Sequence, residues 1–282
     1  MNNIKIFAFA DEASPNIDEQ IVAMKRNGLQ GLEIRGVDGE KVSDISLSKA
    51  REVKSKLDAE GLITWSIGSP LGKINITDDF EKHLEKFKHT LDIADALDCK
   101  NIRLFSFYIP EEKKAEYFKN EVIERLGIFL ETAKGTGIRL CHENEKEIYG
   151  DIPERCLEIH KALPEIRGIF DPANFVQCDV DTLKAWEMLK EYICYMHIKD
   201  ARLSDGFVVP AGYGDGNVLK IVKDFIAKGG RDFTIEPHLK VFEGLASLEN
   251  EDKKSAVASF KYGSNNESFD VACNAFKDLI KE

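Results

Sequence analysis

The residues of this chain best suited to chemistry are Glu143, Asp171, His197 and Glu236. Each stands at or near the end of a short apolar run: IRLCHE from Ile138, RGIFD from Arg167, ICYMHIK from Ile193 and DFTIE from Asp232. Brought to one point, three carboxylates would repel one another strongly in a low-dielectric pocket. A bound divalent cation is the natural way to keep all of them ionised. One nitrogen and three carboxylates suit Mn²⁺, Mg²⁺ or Co²⁺ better than a structural zinc, which favours Cys and His. One divalent ion is therefore expected, with Mn²⁺ the first choice and Mg²⁺, Co²⁺ or Zn²⁺ the alternatives.

Four further β-prone runs precede these: IKIFAFA from Ile4, GLEIR from Gly31, LITWSIG from Leu62 and NIRLFSF from Asn101. Segments with helical apolar spacing and many Lys and Glu lie between the eight runs. Their spacing predicts helices over 16–28, 44–60, 79–98, 111–134, 151–162, 181–190, 218–228 and 268–281. Gly28, Gly61, Gly135 and Gly229 are placed as C-terminal stops. Strand–helix alternation with short connections implies a parallel sheet, and eight repeats close it into a (β/α)₈ TIM barrel. At 282 residues the chain falls within the range of one such domain, so residues 1–282 are read as a single barrel. The turn after the first run reads Ala8-Phe9-Ala10-Asp11-Glu12, without the G-x-G-x-x-G of a dinucleotide site.

In a barrel of this kind catalytic residues sit at the C-terminal ends of strands, and one face of each strand looks inward. The parity agrees. Cys141 shares a face with Glu143, Ile169 with Asp171, Tyr195 and Lys199 with His197, and Thr234 with Glu236. The opposite set, Leu140, Phe170, Met196, Ile198, Phe233 and Ile235, is apolar and suits packing against outer helices.

The sequences LCHENE, FDPANF, MHIKD and TIEPH at four consecutive strand ends, with the Gly-rich AGYGDGN after the third, resemble the xylose-isomerase-like sugar isomerases and epimerases, including the ketose 3-epimerases. The resemblance covers most of the chain. It implies a metal held by Glu143, Asp171, His197 and Glu236, with proton transfer by Glu143 and Glu236. It also implies a small sugar or sugar derivative as substrate. The chemistry is consistent: a cation chelating a carbonyl and a neighbouring hydroxyl acidifies the carbon-bound proton and stabilises the enediolate. Ketose 3-epimerases place a substrate-binding His three residues after the sixth-strand Asp, where this chain has Asn174. Substrate identity therefore does not carry over. Asn174, Lys199 and Arg202 are the candidate substrate-binding residues, Arg202 standing near the family's Arg after the seventh strand.

Each secondary candidate has a plainer reading. Asn174, Lys199 and Arg202 could be helix caps or loop ion pairs. Glu33 and Arg35 share a strand face and are expected to pair with each other. His142 has the wrong parity for ligation, and His238 is either at the pocket rim or in a loop. AGYGDGN could cradle a phosphate or merely join a strand to its helix.

With 50 acidic and 39 basic residues the net charge is −11, which opposes binding to nucleic acid or anionic membranes. Six scattered cysteines without a C-x-x-C pair read as reduced thiols, and no apolar run approaches the ~20 residues of a membrane span. A cytoplasmic enzyme, as a monomer or homo-oligomer, is expected. The competing functions are a dehydratase on the same scaffold and a non-catalytic sugar-binding barrel. A nuclease needing a histidine-rich zinc cluster is disfavoured by six scattered histidines.

Overall fold

The computed structural model describes residues 4–242 and 262–281. Eight strands close a parallel barrel: β1 (Lys5–Ala8), β2 (Gly31–Ile34), β3 (Ile63–Ile67), β4 (Asn101–Leu104), β5 (Arg139–Glu143), β6 (Arg167–Phe170), β7 (Ile193–Ile198) and β8 (Asp232–Ile235). Each strand pairs with its neighbours in sequence, and β1 closes on β8 with Phe7 opposite Thr234. All eight expected strands are present, and the fold is a TIM barrel.

Among the described residues nine α-helices surround or cap the barrel: α1 (Ile17–Arg26), α2 (Leu47–Ala59), α3 (Phe80–Ala96), α4 (Lys119–Ala133), α5 (Pro153–Ala162), α6 (Pro172–Gln177), α7 (Thr182–Leu189), α8 (Val218–Ala227) and α9 (Asn265–Leu279). Side-chain caps set several starts. Asn16 accepts from the Asp18 and Glu19 amides, Asp79 from Glu81, and Asp181 from Leu183 and Lys184. Two expected boundaries move for the same reason, and a third because of a preceding turn. Ser46, not Asp44, caps α2, and Ser264 caps α9 four residues before the expected start. Before α4 the chain runs through a short 3₁₀ turn, Ala115–Phe118, so the α-helix begins only at Lys119.

The strand parity holds. Leu140, Phe170, Met196, Ile198, Phe233 and Ile235 belong to the large apolar layer between strands and helices. Cys141, Ile169 and Tyr195 form a separate small cluster inside the barrel, with Trp65 and Cys194 against it. Trp65 stacks on Phe7 at 4.6 Å and meets Tyr195 edge-on, so the interior is a packed floor beneath the charged upper layer. No helix among the described residues is long and apolar enough to cross a membrane.

Candidate metal centre

Strands β5 to β8 bring the four expected side chains together. His197 Nδ1 lies 2.9 Å from Glu143 Oε1, 3.8 Å from Glu236 Oε2 and 4.0 Å from Asp171 Oδ2. One donor atom from each of the four residues falls within 4.8 Å of the others, and all four residues are buried. Asp171 is divided between two tasks. Its Oδ1 caps α6 by accepting from the Asn174 amide at 2.9 Å, while Oδ2 lies fully buried and accepts no aligned hydrogen bond. That orphaned oxygen, 3.1 Å from Lys199 Nζ, is what a cation would satisfy. The donor set thus fits a divalent ion on the observed geometry.

Strands β1 to β4 hold these donors from the opposite wall. Arg103 on β4 donates to Glu143 Oε2 at 3.1 Å and to the Gly68 carbonyl. Arg35, just past β2, donates to Glu236 Oε1 at 3.1 Å, to both oxygens of Asp11 and to Glu12. Both guanidiniums lie over the Phe9 ring, 4.4 and 4.9 Å from its centre. Each candidate proton-transfer glutamate therefore has one oxygen toward the cluster and the other pinned by a buried arginine. Glu33 on β2 is not the partner of Arg35, because closing the barrel sets β2 across from β7. Its Oε2 meets His197 Nε2 at 3.1 Å, and its Oε1 accepts from Tyr195 at 2.9 Å.

These contacts set the electrostatics. Burial opposes a charge on His197, but the carboxylates of Glu143 and Glu33 outweigh it and raise the imidazole to about 10. Burial pushes Asp171 up to about 7, with Glu236 and Glu143 adding to the rise and Lys199 opposing it. Glu236 is buried too, yet Lys199 and its cationic neighbours hold it well below the usual carboxylate range. Burial raises Glu12 to about 8 despite Arg35. Converging like charges are thus met by proton uptake at some carboxylates and ion pairing at others.

The remaining expected residues divide clearly. Asn174 is in the cluster: its Nδ2 donates to the Asn144 carbonyl at 2.9 Å and to Glu143 Oε1 at 3.3 Å. Lys199 Nζ sits 2.9 Å from Glu236 Oε2. Arg202 is not brought to the cluster. Its guanidinium pairs with Asp205 and lies near Phe207 in its own loop, 47% exposed. His142 faces Ser106 and His160, away from the cluster. His238 is buried beside Glu12 and Glu236, 3.8 and 3.7 Å away, with its Nε2 lacking a hydrogen-bond partner.

The glycine-rich loop contains an internal anion. Asp200 accepts from the amides of Gly212, Gly214 and Gly216 at 2.8 to 3.0 Å, so the donors of a phosphate cradle are already used. A Cβ at Gly214 would collide with the Ala201 carbonyl and the Asp200 carboxylate, which explains a glycine there. Sequence reasoning missed Arg103, Asp11 and Glu12. Their one signal was charge inside or directly after apolar strand runs.

The fold recurs among solved structures. The probable 3-DHS dehydratase AsbF of Bacillus anthracis superposes with a TM-score of 0.74 at 14% identity, over 97% of this chain and 99% of its own. D-psicose 3-epimerase from Clostridium cellulolyticum H10 gives 0.74 at 14% identity, over 99% of both chains. The IOLI protein, solved with a zinc atom, gives 0.73 at 15% identity, over 99% of this chain and 98% of its own. No curated protein matches the chain at a significant level. The sequence profile of the xylose isomerase-like TIM barrel family matches residues 21–249, and with its eightfold barrel the chain belongs to that family.

Proposed function

We propose that the protein is a divalent-metal-dependent isomerase or epimerase of a small sugar or sugar derivative, acting as one catalytic domain. The observation that carries this reading is the convergence of Glu143, Asp171, His197 and Glu236 with the unsatisfied Asp171 Oδ2 among them. These four would hold the ion, with Mn²⁺ favoured by the oxygen-rich donor set. When bound, the ion would polarise the substrate's carbonyl and neighbouring hydroxyl and stabilise the enediolate formed on proton removal.

The chain's own residues do the rest. Glu143 and Glu236 reach the cluster from different strands, and each has its outer oxygen fixed by a guanidinium. One removes the carbon-bound proton and the other returns one, so the stereochemical outcome follows from which face each addresses. Asn174 orients Glu143, and the Lys199 ammonium offers a donor to a substrate oxygen beside Glu236. A substrate contact by Arg202 requires it to leave Asp205, so Asn174 and Lys199 are the first candidates.

The test is elemental analysis of purified protein, comparing wild type with Asp171→Asn and His197→Ala. About one divalent ion per chain in wild type, lost in both variants, is expected. No ion after reconstitution removes the central claim. Ketoses and aldoses incubated with the Mn²⁺-loaded protein should then interconvert at constant mass. A product lighter by one water identifies the dehydratase instead, and binding without turnover identifies a sugar-binding barrel.

A further inference from the structure

His197 is flanked by two carboxylates. Glu143 Oε1 stands 2.9 Å from Nδ1, and Glu33 Oε2 stands 3.1 Å from Nε2. A neutral imidazole carries one proton, and the nitrogen that keeps it has no lone pair for a cation. Nδ1 is the nitrogen that faces Asp171 and Glu236, so ligation requires the proton to stay on Nε2. We propose that Glu33 is the positioning residue that retains this proton, fixing the tautomer and ring orientation in which His197 ligates through Nδ1.

Several features of the surroundings equip Glu33 for this task. It is fully buried, and its other oxygen accepts from the Tyr195 hydroxyl at 2.9 Å and the Ser66 hydroxyl at 3.3 Å. Its carboxylate is thus locked in rotation. Tyr195 lies two residues before His197 on the same inward face of β7. That strand therefore supplies both the ligand and the hydroxyl that holds the ligand's orienter. Phe9 meets the imidazole edge-on at 5.2 Å and 83°, which limits ring rotation from a third side. Orienting carboxylates of this kind raise ligand basicity and tune metal affinity.

This inference rests on the metal reading above, and its test separates the two. Zinc is diamagnetic, so the zinc-loaded protein permits both chelator competition and ¹⁵N-imidazole NMR. Glu33→Gln should weaken zinc binding about 10- to 100-fold, and Tyr195→Phe by a smaller factor. Glu145→Gln removes a carboxylate that is only 14% exposed, pairs with Lys73 and does not touch His197, and should leave affinity within about threefold. In wild type the His197 Nε2–H resonance should be hydrogen-bonded and slow to exchange. In Glu33→Gln it should exchange faster. Wild-type affinity in both Glu33→Gln and Tyr195→Phe overturns the proposal, as does an equal loss in Glu145→Gln, which would make the effect one of charge alone. A wild type that takes up no zinc overturns the metal reading, and this inference with it.

Discussion

The two halves of the barrel share one architecture and have divided the labour. The ends of β5 to β8 carry Glu143, Asp171, His197 and Glu236, whose donor atoms converge. The ends of β1 to β4 carry Phe9, Glu33, Arg35 and Arg103, whose side chains grip those donors from behind. The donors of the second half keep their places because the first half holds them. A carboxylate with one free and one pinned oxygen is pre-organised, whereas a carboxylate with two free oxygens rotates and loses geometry.

The sharpest way to test that division is to remove one function at a time. Glu143→Gln or Glu236→Gln should lower kcat about 10²- to 10⁴-fold on any substrate found, at temperatures where each variant is still folded. Steady-state kinetics beside thermal melts would show it, and an active Glu236→Gln would break the assignment. Arg35→Met or Arg103→Met should instead act on stability, by about 3–5 kcal/mol, because each leaves buried carboxylates without a counter-charge. Arg35→Met should be the worse, since Arg35 serves three carboxylates and Arg103 one. Denaturant midpoints near wild type for both would show that the supporting half carries no load.

A titration outside the site gives a milder contrast. His83 on α3 accepts from the Gly72 amide at 2.7 Å, which requires an unprotonated Nε2, and burial lowers its pKa to about 4. A depressed folded-state value means the stabilisation is complete above the unfolded pKa near 6.5. It is lost as pH falls toward 4. Melts between pH 7 and 4 should therefore decline in wild type more steeply than in His83→Phe, which starts lower but lacks the titration. Metal content measured alongside at pH 7 should be equal in the two proteins. The smallest effect belongs to Arg202→Ala, within about 0.5 kcal/mol, as expected of an exposed ion pair. A larger change in sugar binding would restore Arg202 to the site.

The convergence of Glu143, Asp171, His197 and Glu236 was legible in the sequence for a simple reason. Periodicity located the strands, parity chose the inward face, and metal-ligand residue types at four consecutive strand ends did the rest. The supporting half was not legible, because which charges pair is decided by barrel closure. Glu33 and Arg35 look like partners two residues apart, yet Glu33 reaches His197 and Arg35 reaches Glu236, more than 160 residues away in each case. Helix α6 escaped detection because six residues are too few for an apolar period to emerge, and its cap is Asp171 itself. The boundaries at Ser46 and Ser264 show the same limit: several polar residues near a helix start can cap it, and packing selects one.

Asp200 gives the glycine loop a tethered occupant. A carboxylate 12 to 16 residues upstream of the amides it engages competes intramolecularly with any dissolved anion. Any phosphate group would have to displace the Asp200 carboxylate to use those amides, which lie just before the start of α8.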